Sequence, residues 1–361
     1  MIGNFAIQQK NTTVTTERWQ HALAQAVRRP EELFELLNLP QSLLKDAHSA
    51  AQQFELKVPR SFIARMKKGD LHDPLLRQVL PLSEENRVVP GFSNDPVGDL
   101  AAEQIPGLLQ KYAGRALTIA SGACAVHCRY CFRRHFPYQT SQLTASKLSA
   151  VIEHIKKHPQ LNEVILSGGD PLTLSNTRLK HWLDEIRHIK HIKRVRIHSR
   201  LPIVLPERID HMICGIFDDF PLPIVFVIHA NHANEIDDNV KSALNALHST
   251  GTRLLNQSVL LKGVNDNTAS LVNLSERLFD VQVTPYYLHA LDKVAGAAHF
   301  FVDEDTALEL IEKMRHALPG YLVPQLVTEE AGKASKTPLI HVTDKTRKSK
   351  RHKMTKQNTA Q

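Results

Sequence analysis

Apolar residues in the second half of the chain follow two alternating patterns. Six short runs rich in β-branched and apolar residues are candidate strands: Ala116–Ser121, Glu163–Ser167, Arg194–His198, Ile224–His229, Arg253–Leu260 and Val283–Leu288. Helical segments lie between them, and one helix face is marked at i, i+3, i+4 and i+7 by Leu179, Trp182, Leu183 and Ile186. Strands that alternate with helices predict an α/β fold with a parallel sheet and right-handed crossovers.

The first part of the chain has a different pattern. Residues 1–14 are polar without periodicity, which predicts a disordered arm. Helical signals begin near Thr16 and are interrupted by several prolines before a turn-rich segment at 82–105. We therefore expect a helical N-terminal region over residues 15–110 and the α/β domain over residues 111–340.

Positive charge is concentrated at the end of the chain. The net charge is +8, but residues 345–361 alone contain seven Lys or Arg and no Asp or Glu. Without that segment 38 basic and 37 acidic residues remain, so the composition does not support a basic surface for nucleic acid across the whole fold. We expect residues 341–361 to form a basic disordered tail, with docking to an acidic partner or RNA as the weaker hypothesis.

Other global features indicate a cytoplasmic protein. The sequence has no run of about 18 or more apolar residues, so no transmembrane helix and no membrane association are expected. The early residues lack the pattern of a secretory signal. Three of the four cysteines crowd into one short segment, which is typical of a metal site in a reducing compartment and not of a disulfide framework.

The three crowded cysteines directly follow the first candidate strand. Cys124, Cys128 and Cys131 have the spacing Cys-x3-Cys-x2-Cys. The loop is therefore expected at the carboxyl end of the sheet, where chemistry gathers in α/β folds. Three thiolates suit an iron–sulfur cluster or zinc. A four-iron cluster held by three cysteines has one iron that is open to a small molecule.

Zinc is the alternative reading of this loop. A structural zinc site needs a fourth ligand, which Cys214, His127 or His135 could supply. Cys214 lies in an apolar helical stretch and is better explained as a buried, unreactive thiol. A redox Cys-x2-Cys pair would leave Cys124 unexplained. The spacing favours the cluster.

The cysteine loop and a glycine pair together resemble the radical S-adenosylmethionine (SAM) superfamily. Gly168, Gly169 and Asp170 follow the second candidate strand; alone they would be an ordinary turn. The resemblance implies a partial (β/α)6 barrel, a 4Fe–4S cluster on the three cysteines, and SAM on the open iron, where it is cleaved reductively. It also implies that these three residues, together with His229 and Gln257, bind SAM.

A longer resemblance runs from about Val58 to Pro338 and is to the lysine 2,3-aminomutase family. Six segments carry it: 73–79, 112–115, 124–138, 198–205, 256–262 and 286–300. The chain is most similar to the short bacterial branch that supplies (R)-β-lysine for the modification of elongation factor P. The resemblance implies isomerisation of L-lysine, pyridoxal 5′-phosphate (PLP), a reducing electron donor such as flavodoxin, and a link to elongation factor P and its lysyl ligase.

The resemblance also implies a PLP site. Lys336, which precedes Thr-Pro, matches the lysine that binds PLP covalently, and Lys333 is its nearest competitor. Tyr112 and Arg115 match contacts to the PLP phosphate, and Lys111 is a weaker candidate. Without the resemblance, these residues would be read as ordinary surface groups.

Three further residues are implied as substrate contacts. Arg133 matches the residue that pairs with the lysine carboxylate, and Asp292 matches an acid that binds its far ammonium group. Glu329 stands where free-lysine aminomutases have a second acid, an Asp. Those enzymes usually continue beyond the PLP lysine with a zinc-binding segment, so we expect no structural zinc here and a smaller oligomer.

Two other functions remain open at this point. The first is a related radical SAM aminomutase that acts on glutamate or arginine, although an acid pair favours a substrate with a cationic tail. The second is a non-enzymatic, zinc-stabilised binding protein that uses its basic tail.

Overall fold

The computed structural model describes residues 12–141 and 144–340 of the chain. The α-helices are α1 (Thr12–Ala24), α2 (Pro30–Leu37), α3 (Leu44–Gln53), α4 (Arg60–Ile63), α5 (Pro74–Arg77), α6 (Tyr138–Ser141), α7 (Ala145–Lys157), α8 (Asn176–Arg187), α9 (Leu201–Val204), α10 (His211–Asp218), α11 (Asp238–Ser249), α12 (Thr268–Phe279) and α13 (Glu304–Ala317). Short 3₁₀ turns lie at Gln41–Leu43, Ser83–Asn86, Pro171–Thr173, Pro206–Arg208, Ala233–Glu235, Ala298–Phe300 and Gly320–Leu322.

The strands form one mixed sheet in chain order. They are β1 (Glu103–Ile105), β2 (Leu108–Tyr112), β3 (Arg115–Ser121), β4 (Glu163–Gly168), β5 (Arg194–Ser199), β6 (Ile224–Ile228), β7 (Arg253–Val259), β8 (Thr284–His289), β9 (Gln325–Thr328) and β10 (Thr337–Pro338). Neighbours from β3 to β9 are parallel, whereas β1, β2 and β10 pair antiparallel. The predicted α/β fold is confirmed, and each of the six predicted strands is observed within one residue of its predicted ends.

The N-terminal region differs from its prediction in three respects. Helix α1 begins at Thr12, before the predicted start near Thr16. Strands β1 and β2 fall in the region that was predicted to be helical, and the predicted boundary at residue 111 lies inside β2. The rest of the predicted arm, residues 1–11, and the predicted basic tail, residues 341–361, lie outside the described residues.

Helix starts in the α/β region are set by short polar side chains. Ser175 caps α8, Asp237 caps α11, Asn267 caps α12 and Asp303 caps α13, each by accepting a backbone N–H of the first turn. Each cap is followed by an apolar stripe that packs on the sheet. Each of these helices belongs to the connection that follows a strand: α8 follows β4, α11 follows β6, α12 follows β7 and α13 follows β8.

One hydrophobic core joins the N-terminal helices to the sheet. Every residue of β4 is buried, as expected for a central parallel strand. Val58 and Leu75 of the N-terminal region belong to the same buried cluster as Val164 of β4 and Leu183 of α8. The N-terminal region therefore shares the hydrophobic core of the sheet and does not form a separate core.

No helix in residues 12–141 and 144–340 is long and apolar enough to cross a membrane.

Truncation of the α8 stripe tests the packing of helix on sheet. Leu183 is 1% exposed, so Leu183→Ala should lower the free energy of unfolding by about 2–5 kcal/mol through lost burial and a residual cavity. Lys180→Ala, on the exposed face of the same helix, should change it little. Urea unfolding followed by circular dichroism measures both, and equal losses would contradict the assigned helix face.

Candidate active site

A cavity of about 350 Å³ opens at the carboxyl ends of the parallel strands. All the residues that the sequence singled out for cluster, SAM, PLP and substrate line it: Tyr112, Arg115, Cys124, Cys128, Cys131, Arg133, Gly168, Gly169, Asp170, His229, Gln257, Asp292, Glu329 and Lys336. The structure thus brings together residues that lie more than 200 positions apart in the chain. Their individual ligands remain predictions.

The cysteine loop is held by the backbone of the N-terminal region. The His127 N–H donates to the Lys57 carbonyl and the Arg129 N–H donates to the Gln78 carbonyl, both at 2.9 Å. The Cys131 N–H closes a turn onto the Cys128 carbonyl at 3.0 Å. These bonds fix the loop where β3 ends.

The electrostatic environment of the loop favours a bound cationic group. Burial, followed by the nearby Cys128 thiolate, raises the pKa of Cys131 to about 11. Burial also raises the pKa of Cys124. Three thiolates are therefore costly here unless a metal compensates their charge.

The cysteines line one cavity without converging on a single point. In the described part of the chain, no three His, Cys, Asp or Glu side chains are placed to hold one metal ion together. A zinc site needs its sulfurs about 2.3 Å from one ion. In a four-iron cluster each thiolate binds a different iron, so the sulfurs stand further apart. Cys124, Cys128 and Cys131 line one cavity, and Cys128 and Cys131 contribute to the raised pKa of Cys124, so the donor set suits a cluster.

The Gly-Gly-Asp turn packs directly on the cysteine loop. The Gly169 N–H donates to the Ser121 carbonyl at 2.7 Å, and the Asp170 N–H donates to the Ala123 carbonyl at 2.8 Å. A Cβ at Gly169 would lie 2.4 Å from the Ala123 carbonyl oxygen. Only glycine allows this approach of two backbones.

Asp170 is buried and already hydrogen-bonded by its own scaffold. Its carboxylate accepts from the Ser199 hydroxyl and the Arg200 N–H, both at 2.8 Å, and from the Leu172 N–H at 3.0 Å. Burial raises its pKa to about 6, against the lowering effect of these bonds. Asp170 therefore shapes the turn, and it lines the cavity together with Gly168 and Gly169.

Three histidines line the cavity with a buried, unpartnered nitrogen: His289 is buried, and His198 and His229 are half-buried. His229, which the sequence singled out, has no hydrogen-bond partner at Nε2, and burial lowers its pKa to about 4. His198 and His289 share both properties, and the pKa of each is lowered by burial. Sequence reasoning missed these two, although both stand at the end of a predicted strand. All three are neutral imidazoles with a free nitrogen available to a ligand.

A chain of alternating charges crosses the cavity wall. Asp99 accepts from Arg133 Nε and pairs with Lys111 Nζ, both at 2.6 Å. Lys111 also pairs with Glu329 at 2.8 Å, and Glu329 pairs with Lys336. Sequence reasoning missed Asp99, because nothing in its turn-rich segment indicates a partner 34 positions along the chain.

The two predicted substrate acids have opposite protonation behaviour. Burial, followed by the negative charge of Glu329, raises the pKa of Asp292 to about 7. Although burial opposes it, the charges of Lys336 and Lys111 lower the pKa of Glu329 to about 2. At Asp292 the charges of Lys336 and Lys111 offset the effects of burial and of Glu329 only in part, so a cationic ligand beside Asp292 would favour its carboxylate.

Tyr112 and Arg115 face each other across the β2–β3 turn. They are register partners, and the Arg115 guanidinium lies 4.1 Å from the centre of the Tyr112 ring. Lys336 lies just before β10 and lines the same cavity, where its Nζ pairs with Glu329. Its competitor Lys333 is exposed and does not line the cavity, and Cys214 is half-buried on α10 away from it.

Comparison with known proteins identifies the class and then the family. Residues 118–274 match the Radical SAM superfamily, and with the parallel sheet and the cysteine loop this match defines a radical SAM enzyme, which implies a 4Fe–4S cluster and SAM. A protein named L-lysine 2,3-aminomutase from Escherichia coli (strain K12) is 49% identical over 328 residues, which are 91% of this chain and 96% of that protein. The chain belongs to the lysine 2,3-aminomutase family and is an isomerase.

Other relatives with the same name differ in length. One from Buchnera aphidicola (subsp. Baizongia pistaciae) is 44% identical over 321 residues, 89% of this chain and 94% of that protein. One from Acetoanaerobium sticklandii is 32% identical over 323 residues, 89% of this chain but only 78% of that protein. The chain therefore matches the first two relatives nearly end to end.

Cysteine substitution tests the assignment of the cluster ligands. After anaerobic reconstitution the unmodified chain should hold about four irons with acid-labile sulfide, and Cys131→Ala should lose most of them. Cys214→Ala is the matched control and should retain the full content, because Cys214 does not line the cavity. Iron and sulfide assays measure both variants; full iron in Cys131→Ala would refute the assignment.

Proposed function

We propose that the protein converts L-lysine to (R)-β-lysine by moving the amino group from C2 to C3, with PLP as a second cofactor. One observation carries the proposal: a single cavity is lined by the cysteine loop, by Lys336 and by the acids Asp292 and Glu329. These are the parts needed to generate a radical, to carry an amino group and to bind a cationic tail.

The residues divide the cavity into cofactor regions. The three cysteines hold the cluster, and the backbone of Gly168 and Gly169, with His229 and Gln257, binds SAM. Lys336 binds PLP covalently, while Tyr112 and Arg115 bind its phosphate. When bound, the cluster and SAM supply the radical that takes a hydrogen from the substrate, and PLP carries the migrating amino group.

Charged side chains select lysine by its two ends. Arg133 binds the α-carboxylate, in competition with Asp99, which holds its guanidinium in place. Asp292 and Glu329 bind the ε-ammonium. Glu329 is also paired with Lys111 and Lys336, so the ε-ammonium would share its carboxylate with these two lysines.

We further infer that the product serves the modification of elongation factor P by its lysyl ligase, with flavodoxin or a similar protein as electron donor. The near end-to-end match to the short Escherichia coli relative supports this inference, because the longer relative is covered over only 78% of its length.

Turnover by the complete system tests the reaction. Anaerobic incubation of the full chain with lysine, SAM, PLP and a reductant should yield β-lysine, detected by chromatography and mass spectrometry. Parallel incubations with glutamate and with arginine are the comparison, and glutamate should yield little product, because Asp292 and Glu329 repel an anionic tail. β-Glutamate or β-arginine without β-lysine would replace this proposal by the related aminomutase.

Two neighbouring lysines test the PLP site. Lys336→Ala should abolish turnover and remove the visible absorbance of lysine-bound PLP, because the covalent anchor is lost. Lys333→Ala should retain both, since Lys333 is exposed and outside the cavity. Borohydride reduction followed by peptide mapping should place PLP on Lys336, and labelling of Lys333 would show the assignment to be wrong.

The pH dependence of kcat/KM tests Asp292. The raised pKa of about 7 means that its carboxylate becomes protonated as the pH falls through 7. Below that value kcat/KM for lysine should fall by about tenfold per pH unit, because a neutral acid binds the ammonium poorly. Asp292→Asn should lower kcat/KM by about tenfold or more and should abolish the fall of kcat/KM below pH 7. Glu330→Gln, an exposed acid beside the site, should leave the profile unchanged.

A further inference from the structure

Arg200 joins the cysteine loop to a buried polar layer behind it. Its side chain is 6% exposed and follows the end of β5. One arm of the guanidinium, Nη1, donates to the Cys128 sulfur. The other arm, Nη2, donates to Gln78 Oε1 at 2.6 Å and to Glu235 Oε2 at 3.0 Å. The Arg200 guanidinium thus binds the Cys128 sulfur through one arm and the Glu235 carboxylate through the other.

The partners of Arg200 are themselves fixed. Glu235 is fully buried, and its Oε1 accepts from the backbone N–H groups of Asn231 at 2.8 Å and His232 at 3.0 Å. The Arg200 backbone N–H donates to Asp170 of the Gly-Gly-Asp turn. The guanidinium is therefore held from its backbone and from its far arm, and it cannot swing away from Cys128 without breaking the pair with Glu235.

The charges in this layer nearly cancel. Arg200 brings one positive charge to the sulfur and Glu235 returns one negative charge on the opposite face of the guanidinium. A hydrogen bond to a cluster sulfur stabilises the more negative, reduced cluster, and so does a nearby positive charge. A buried carboxylate beside the arginine offsets the effect of its positive charge but leaves the effect of its hydrogen bond.

We propose that Arg200 and Glu235 together set the reduction potential of the cluster held by Cys128. Arg200 raises the potential through its hydrogen bond to the thiolate, and Glu235 lowers it by compensating the charge of Arg200. Arg200 acts on the cluster through the Cys128 sulfur, and Glu235 acts through Arg200, so both are positioning residues. The inference rests on the proposed role of Cys128 as a cluster ligand.

The physical need for such a pair follows from the reaction class. Reductive cleavage of SAM requires a strongly reducing cluster, and an uncompensated buried arginine at a ligand sulfur would weaken it as an electron donor. An arginine without its carboxylate would also be costly to bury. The pair gives a fixed donor to the sulfur with little net charge.

The test is a redox titration of the reconstituted full chain, without SAM or PLP, followed by electron paramagnetic resonance. Arg200→Met should shift the midpoint potential to a more negative value, because the donor and its charge are lost. Glu235→Gln should shift it to a more positive value, because the charge of Arg200 is no longer compensated. These opposite shifts are not expected from residues that only stabilise the fold.

Arg65→Met is the matched control. Arg65 is a buried arginine of the same layer that donates to the backbone carbonyls of Glu235 and Ile203 but contacts no cysteine. At equal iron content its potential should shift by much less than that of Arg200→Met, because no hydrogen bond to a cluster sulfur is lost.

Two results separate failure of this inference from failure of the cluster assignment. With full iron content, unchanged potentials or shifts of the same sign in Arg200→Met and Glu235→Gln would overturn the inference. If Arg200→Met holds no cluster, Glu235→Gln decides by itself: an unchanged midpoint potential in that variant overturns the inference. Retention of about four irons by Cys128→Ala would instead remove Cys128 as a ligand.

Discussion

The close contact between two backbone turns is the constraint on which the site depends. Gly169 lies against the carbonyl of Ala123, at a distance that leaves no room for any side chain. Backbone hydrogen bonds from Gly169 and Asp170 lock the end of β4 onto the loop after β3. Parallel strands already bring these two ends side by side. The glycine then lets the two turns touch, and this contact fixes the Gly-Gly-Asp turn relative to the cysteine loop. The remaining groups are placed relative to this pair of turns.

Electrostatic pairing extends that order across the cavity mouth. The series Arg133, Asp99, Lys111, Glu329 and Lys336 alternates in sign, and each member is largely buried. Such pairs contribute little net stability, because desolvation offsets much of the attraction. Their effect is to hold flexible side chains in one arrangement before any ligand arrives, which lowers the ordering cost of binding.

The sequence predicted the strands, and the residues that line the cavity, better than it predicted the contacts between them. The strands could be found because they are short runs rich in β-branched and apolar residues between helical segments, and the cysteine spacing marked the loop after the first of them. The antiparallel β1 and β2 were missed, since Glu103–Ile105 is short and half exposed and has no distinct pattern. Asp99, His198 and His289 were missed for another reason: their importance lies in burial and in partners distant along the chain, which one sequence does not display.

The position of Lys336 has a consequence for how the protein matures. It precedes β10, a two-residue strand at the very edge of the sheet, whereas the cysteine loop follows the third strand. Ribosomes deliver the N-terminal part first, so the loop and its supporting helices emerge roughly 200 residues before this lysine. Under the proposed function, the cysteine loop is therefore synthesised before the lysine that anchors PLP, and a chain interrupted between the two would lack that anchor.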